Sequence, residues 1–206
     1  MRDKFHESLG QLTASLAGLA DCCERAVEAS VAALADGDGR GAAEAVQLER
    51  ETDRLAGEVE GLCLHLLMTQ QPVASDLRLI GAAMKMSTDL ERIGDQCADI
   101  AALCPLAAGE IAPVIRDMAS LCAAMLRDAV AAYDLRDVDL ARTAIAHDDA
   151  VDAHYAAAKA AIAAMQPAPL DLFLCVKYYE RIGDHAQNVA EWVEYALSGL
   201  YRGREL

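Results

Sequence analysis

The pentapeptide ERIGD occurs twice in this chain of 206 residues, at Glu91–Asp95 and again at Glu180–Asp184. Residues four positions apart lie on the same face of a helix, so each copy sets a glutamate beside an aspartate. Two carboxylates at this spacing repel each other, by roughly a few tenths of a kcal/mol on an exposed helix and by more where water is excluded. A bound cation is the simplest compensation. The motif therefore predicts two helices, each with a cation-binding face.

A second carboxylate pair, Glu49 and Asp53, precedes the first copy of the motif within a segment of helical apolar spacing. If the two helices are antiparallel neighbours, the two pairs lie level only when the chain turns at their midpoint. That midpoint is Pro72, a residue that is unsuited to a helix interior and suited to a turn. The spacing thus predicts a hairpin that sets Asp53 beside Glu91. It also sets Glu49 beside Asp95.

The second repeat has the same arrangement. Asp148 and Asp152 precede the second copy of the motif, again four positions apart. The midpoint between this pair and the second motif is residue 166, inside Gln166–Pro169, which reads QPAP. The two proline residues predict that this hairpin closes there. We therefore expect a second group of four aligned carboxylates.

Breaker residues divide the chain into six predicted helices. These span about 4–35, 42–70, 75–103, 113–135, 138–165 and 170–201, with a glycine-rich turn at Asp36–Gly41 and a link between the repeats at 104–112. Alanine is abundant and aromatic residues make up only 4% of the chain, which favours closely packed helices over sheets. The predicted fold is all-α, with two tandem three-helix bundles formed by residues 1–104 and 105–206. The six long helices are antiparallel within each bundle.

Charge and composition exclude several classes of protein. The formal net charge of −15 is a poor match for nucleic acid or for anionic lipid. The chain has no glycine-rich phosphate loop, so nucleotide hydrolysis is not expected. Seven cysteines without a C-x-x-C pair are typical of small buried side chains in a reducing compartment. With no signal-peptide pattern and no long apolar run, a cytoplasmic location is expected.

The centre of each motif is also informative. A glycine within a helix costs about 1 kcal/mol relative to alanine, so its repetition at Gly94 and Gly183 predicts a close approach that excludes a larger side chain. The arginines that follow the two motif glutamates, Arg92 and Arg181, point partly away from the carboxylates. We expect each of them to pair with a neighbouring acid.

The ligand types restrict the kind of metal. Carboxylate oxygens suit magnesium, manganese, calcium or iron, and zinc is less favoured. A ferritin-like oxidase would require E-x-x-H motifs, but the third residue after Glu49, Glu91 or Glu180 is never histidine. His185 follows the second motif, and a surface or core role is favoured for it. Two alternatives stay open at this point: a carboxylate-bridged metalloenzyme, such as an oxidase or phosphohydrolase, and a helical scaffold with solvated acidic stripes.

Three stretches resemble the PhoU family of phosphate-transport regulators. They are Leu67–Arg78 (LMTQQPVASDLR), Asp89–Asp95 (DLERIGD) and Tyr179–Glu191 (YERIGDHAQNVAE). The resemblance covers essentially the whole chain. It implies two tandem three-helix bundles that hold multinuclear metal clusters, and a regulator rather than an enzyme. It also implies action with the phosphate ABC transporter and with the sensor kinase of the phosphate-starvation response, which the regulator helps to shut down when phosphate is plentiful.

The resemblance also assigns ligand candidates. Those within the paired stripes are Glu49, Asp53, Glu91, Asp95, Asp148, Asp152, Glu180 and Asp184. One turn further on, Asp99 and Asn188 extend the stripes. Asp99 replaces the asparagine usual in the family, Gln96 replaces a histidine, and Ala102 stands where the second repeat has Glu191. The two sites are therefore expected to be chemically unequal.

The resemblance implies iron or zinc as the cofactor, and the oxygen ligands also suit manganese or magnesium, so a divalent or trivalent metal ion is expected and its identity is left open. The expected partners are the ATPase of the phosphate transporter and a sensor histidine kinase. A membrane is reached only through these partners, nucleic acid is not bound, and a homodimer is left open.

Overall fold

The structure, a computed structural model, describes residues 2–35, 39–104, 106 and 108–205. Its helices are α1 (Arg2–Ala35), α2 (Arg40–Gln70), α3 (Ser75–Ala102), α4 (Ala112–Leu135), α5 (Val138–Ala146), α6 (Asp148–Ala163) and α7 (Leu170–Ser198). A short 3-10 turn, Gly109–Ile111, precedes α4. After α7, the strands β1 (Leu200–Tyr201) and β2 (Arg204–Glu205) form a small antiparallel hairpin.

The all-α prediction is confirmed. Helices α1, α2 and α3 pack together as one three-helix bundle, and α4, α7 and the pair α5–α6 form the other. Two helix boundaries lie where proline residues predict them. Gln71, in the left-handed conformation, and Pro72 follow α2, and Pro113 lies in the first turn of α4. No helix of the described residues is long and apolar enough to cross a membrane.

The fifth predicted helix differs from the structure because it is divided at His147. The backbone amide of His147 hydrogen-bonds to the carbonyls of Thr143 and Ala144, and the amide of Ala150 bonds to the carbonyl of His147. The bonds from His147 to Ala144 and from Ala150 to His147 span three residues instead of four, as in a 3-10 turn, and they mark the end of α5 and the start of α6. Asp148 and Asp149 then begin α6, and the helix dipole favours carboxylates at this end of a helix.

One further boundary differs from the prediction, and two predicted connections lie partly outside the described residues. Helix α7 ends at Ser198 rather than near residue 201, because Gly199 adopts a left-handed φ of 81° and caps the helix. Half of the predicted turn at Asp36–Gly41 and part of the link 104–112 lie outside the described residues. Within the described part of that first turn, Gly39 has a left-handed φ of 74° immediately before α2.

The two bundles share one buried apolar core. Helix α3 packs along α7, and α1 packs along α4, so that a single cluster of buried side chains runs through both repeats. Polar contacts join the repeats inside this core. The hydroxyls of Ser30 and Tyr179 are 2.8 Å apart, and Tyr133 donates a hydrogen bond to the carbonyl of Leu79 at 3.1 Å. The division into domains at residues 104 and 105 stays a prediction.

The cysteines contribute to the same core as free thiols. Six are buried and Cys104 is half-buried. Burial raises the pKa of the Cys63 and Cys175 thiols to about 12, so both are protonated near neutral pH. Within the described residues they behave as the small apolar side chains that the sequence indicated.

Candidate metal centre

The first acidic cluster consists of Glu49 and Asp53 on α2 with Glu91 and Asp95 on α3. Glu49, Asp53 and Asp95 each place one carboxylate oxygen within 4.8 Å of the other two. Glu91 lies close enough to Asp53 and Asp95 for their charges to raise its pKa. The structure thus brings together all four carboxylates in the register that the central Pro72 predicts.

The carboxylates of the first acidic cluster repel one another. The pKa of Glu49 is raised, first by partial burial and then by the negative charges of Asp53 and Asp95. The pKa of Glu91 is raised by partial burial and by Asp53, against a smaller lowering by Arg92. Each of these carboxylates is therefore harder to ionise than in water. A cation placed among them would relieve this cost.

Gly94 lets the two helices of the first cluster approach each other. A β-carbon on Gly94 would lie 2.2 Å from Oγ1 of Thr52, far closer than atoms can pack. Thr52 is fully buried, and its hydroxyl donates a hydrogen bond of 2.7 Å to the carbonyl of Glu49. The prediction that a larger side chain is excluded here is confirmed. The absence of a side chain at Gly94 keeps the carboxylates of α2 within reach of those on α3.

The donor set of the first cluster fits a hard cation. Ions such as magnesium, manganese and calcium take oxygen ligands at about 2.0–2.6 Å, and two ligands of one ion are then separated by roughly 3–5 Å. The spacing of the three oxygen atoms satisfies this requirement. Further positions around the ion would be available for Glu91 and for water. The arrangement can therefore bind a cation and, through it, join α2 to α3.

The second acidic cluster consists of Asp148 and Asp152 on α6 with Glu180 and Asp184 on α7. Its most buried member is Asp148, a residue that is only 8% exposed. Burial raises the pKa of Asp148 to about 6, with further contributions from Asp152 and Asp184. The pKa of Asp184 is also raised, first by partial desolvation and then by the negative charge of Glu180. The same four candidates that the sequence aligns thus interact electrostatically in the structure.

Gly183 has the same role in the second cluster that Gly94 has in the first. A β-carbon on Gly183 would lie 2.9 Å from Cγ1 of Val151 and 3.3 Å from Oδ1 of Asp148. Val151 occupies the position before Asp152, as Thr52 does before Asp53 in the first repeat. In both repeats the motif glycine therefore packs against the residue between the two upstream carboxylates.

The two clusters are not equivalent. In the described part of the chain, only Glu49, Asp53 and Asp95 place three candidate ligand atoms within 4.8 Å of one another. In the second cluster, the ammonium of Lys177 donates a hydrogen bond to Oε2 of Glu180. Sequence reasoning missed Lys177. The signal was a lysine three residues before the motif glutamate in the second repeat only.

Two predicted ligands lie apart from the clusters. Asp99 is exposed on α3, one turn beyond the first cluster. Asn188 donates a hydrogen bond of 3.2 Å to Oδ1 of Asp89 and accepts one of 2.8 Å from Arg202. The structure thus places the Asn188 amide in a hydrogen-bond network that joins α7 to α3. Metal binding through Asp99 and Asn188 remains a prediction.

His185 and Arg92 have structural contacts, as the sequence favoured. Nδ1 of His185 lies 2.8 Å from Oδ1 of Asp89, so the histidine links α7 to α3. Arg92 pairs with Asp95 at 2.9 Å on the protein surface. Arg181 lines a surface cavity together with Asp184 and Arg202. The role of Asp89 could not be predicted from the sequence because its partners, His185 and Asn188, are almost a hundred residues away.

Known proteins are similar to this chain in sequence and in fold. The family model of the PhoU domain matches residues 16–104 and 115–193. Over 95% of the chain, the sequence is 31% identical to the phosphate-specific transport system accessory protein PhoU homolog of Pseudomonas aeruginosa, covering 86% of that protein. It is 33% identical to the Caulobacter vibrioides protein of the same name, again over 95% of the chain and over 90% of that protein.

Solved structures agree with these sequence matches. The crystal structure of PhoU from Pseudomonas aeruginosa superimposes with a TM-score of 0.88 at 29% identity, covering 95% of this chain and 100% of that one. The phosphate transport system regulatory protein PhoU from Streptococcus pneumoniae gives a TM-score of 0.85 at 26% identity. That alignment covers 96% of this chain and 98% of the other.

Proposed function

This chain belongs to the PhoU family, and from that premise we propose that it regulates inorganic phosphate uptake and phosphate-starvation signalling without catalysing a reaction. Its relatives are named as accessory proteins of a phosphate-specific transport system, and one structural neighbour is named as a regulatory protein of such a system. In each comparison the similarity extends over most of the length of this chain and of the matched protein. This supports a role of the whole chain in the same system.

The proposal includes metal binding by both acidic clusters. The observation that carries this part is the convergence of three carboxylate oxygens, from Glu49, Asp53 and Asp95, within 4.8 Å. A bound iron, zinc, manganese or magnesium ion would supply positive charge to faces that otherwise repel. The protein's own residues would hold that ion between two helices and so fix their spacing.

The regulator would act by docking. With a net charge of −15, its acidic faces can bind basic surfaces directly or through bound cations. We propose the ATPase of the phosphate transporter and the sensor histidine kinase as partners, which places this protein on the cytoplasmic side of the membrane. Self-association as a homodimer is compatible with this role.

Metal analysis of purified variants tests the metal part. Glu91→Ala with Asp95→Ala should abolish metal binding at the first cluster and leave the second unchanged. Glu44→Ala is a matched control, since it removes an exposed carboxylate from α2 outside the first cluster and its stripe. Equal metal content in the double variant and the wild type would contradict the assignment of the first cluster.

Deletion of the gene, together with any paralogue, tests the regulatory part. The expected result is raised phosphate uptake or derepression of phosphate-starvation genes in medium with ample phosphate. Asp95→Ala with Asp184→Ala should reproduce part of this effect while the protein remains folded. If uptake and gene expression are unaltered by the deletion, the regulatory assignment fails and a carboxylate-bridged metalloenzyme becomes the better interpretation, to be tested by turnover assays.

A further inference from the structure

We propose that the second acidic cluster carries its own cation, the ammonium of Lys177, which a metal ion must displace from Glu180. The second cluster then binds metal more weakly than the first, so that the two repeats respond to different metal concentrations. This inference rests on the proposed metal binding. It concerns what distinguishes the two clusters rather than whether either one binds metal.

The contacts of Lys177 place its ammonium on the ligand set. Nζ of Lys177 donates to Oε2 of Glu180, whose side chain is only 13% exposed. The same ammonium lies 5.3 Å from the ring centroid of Tyr155 on α6, the helix that carries the other half of the cluster. It is also close enough to Asp184 for its charge to lower the pKa of that carboxyl, against the larger effects of burial and Glu180.

The first repeat has no such lysine. The corresponding position, three residues before Glu91, is Thr88. The hydroxyl of Thr88 is exposed and donates a hydrogen bond to the carbonyl of Met84 in its own helix. The cluster on α2 and α3 thus lacks the counterpart of this ammonium, although the two motifs are identical in sequence.

The surface pair of Arg92 and Asp95 does not fill the same role in the first cluster. Both side chains are substantially exposed, at 54% and 31%, so water screens the pair. Asp95 nevertheless keeps a carboxylate oxygen within 4.8 Å of the oxygens of Glu49 and Asp53. The Lys177–Glu180 pair is the more shielded of the two, because Glu180 is largely removed from solvent.

Displacement of Lys177 has a definite physical cost. A metal ion that binds Glu180 replaces the ammonium hydrogen bond and is repelled by the ammonium while it stays nearby. The Lys177 side chain is 40% exposed, so its charged end can move into water or stay over the Tyr155 ring. Without metal, the same ammonium offsets part of the repulsion among the four carboxylates. One residue therefore stabilises the metal-free second cluster and lowers its metal affinity.

Manganese titration of matched variants tests this proposal. In a background where Asp53→Asn and Asp95→Asn disable the first cluster, Lys177→Met should tighten Mn²⁺ binding measured by calorimetry by about tenfold or more. Lys159→Met is the control. Its ammonium also lies over the Tyr155 ring, at 6.0 Å, so it should leave the Mn²⁺ affinity unchanged if the contact with Glu180 is what matters.

A reciprocal variant and a metal-free measurement complete the test. Thr88→Lys in the otherwise wild-type chain should weaken Mn²⁺ binding at the first cluster. In chelator, Lys177→Met should lower the melting temperature more than Lys159→Met does. Unchanged Mn²⁺ affinity of the second cluster in Lys177→Met, or no binding there in any background while the first cluster binds, overturns the inference. Absence of Mn²⁺ binding at both clusters of the wild type would instead overturn the metal part of the proposed function.

Discussion

At the scale of single residues, the motif glycines determine how near the carboxylates can come. Gly94 packs against Thr52, and Gly183 packs against Val151, each at a distance that leaves no room for a β-carbon. Thr52 and Val151 each lie between two acidic residues that are one helical turn apart. The contact with the glycine therefore also fixes where these two carboxylates lie along the helix axis relative to the carboxylates of the motif. The pattern of identical residues in the two repeats thus has a steric cause as well as a chemical one.

Substitution of Gly94 by alanine should destabilise the protein by about 1–3 kcal/mol, the usual cost of overpacking a core. The added β-carbon meets a buried hydroxyl, and α3 must move away from α2. Metal affinity of the first cluster should fall as well. Gly81→Ala on the same helix is the control, since nothing lies within 4 Å of its added atom, and better helix propensity should make it neutral or slightly stabilising. Chemical denaturation of both variants distinguishes these outcomes.

The pH dependence of stability should identify Asp148. Its pKa of about 6 in the folded protein exceeds the value of 3.8 expected for the unfolded chain. The folded state therefore binds more protons between these values, so this group favours folding most at low pH, and that contribution is lost as pH rises from about 4 to 6. The cause is burial first, followed by repulsion from Asp152 and Asp184.

Asp148→Asn removes this titration and supplies the measurement. In chelator at pH 7, the variant should be more stable than the wild type by on the order of 2 kcal/mol. The difference should vanish near pH 4, where the wild-type carboxyl is protonated. A difference that stays constant from pH 4 to pH 7.5 in urea denaturation would show that the charge of Asp148 is not the cause.

At the scale of elements, helices α3 and α7 form the seam between the two repeats, and a polar network crosses it. Asp89 on α3 accepts hydrogen bonds from His185 and Asn188 on α7. Arg202 in the terminal hairpin then bonds to Asn188 and to Glu191. This network lies next to both ERIGD motifs. It holds the two motif helices in one register relative to each other.

Loss of Asp89 should loosen this seam. Asp89→Ala leaves the ring nitrogen of His185 and the amide of Asn188 without their acceptor, at an expected cost of about 1–3 kcal/mol in unfolding free energy. A double-mutant cycle with His185→Ala isolates the pair, and we expect a coupling of at least about 0.5 kcal/mol. Strict additivity of the two substitutions would mean that the contact contributes nothing.

The elements also show what the sequence can and cannot predict. Proline residues and the equal spacing of carboxylates fixed the hairpins and their register, because both depend on local geometry. The division at His147 was missed since neither glycine nor proline marks it, and the change from α to 3-10 bonding depends on packing. The contacts of Asp89 with α7 and of Lys177 with Tyr155 could not be predicted from the sequence either. They join residues whose proximity is decided only when the helices pack.

At the scale of the whole molecule, a continuous core is combined with a strongly acidic surface. The buried cluster runs through both repeats, so the helices that carry the two acidic clusters pack on one common core. The net charge of −15 adds general repulsion that the folded state must overcome. Cations bound at the two acidic clusters would act against this repulsion where it is most concentrated. Metal binding should therefore be visible in the stability of the entire chain.

Removal of metal should lower the melting temperature of the whole protein. A ligand that binds only the folded state stabilises it by about 2.7 kcal/mol at one hundred times its dissociation constant, which for a chain of this size corresponds to roughly 5–10 °C. Calorimetry with and without a chelator measures the shift. A variant with Asp53→Asn, Asp95→Asn, Asp152→Asn and Asp184→Asn should be insensitive to the chelator, because it has lost ligands in both clusters. Elemental analysis must confirm that metal was bound before its removal. If the wild type then keeps its melting temperature without metal, the bound ions do not stabilise the packing of the helix pairs.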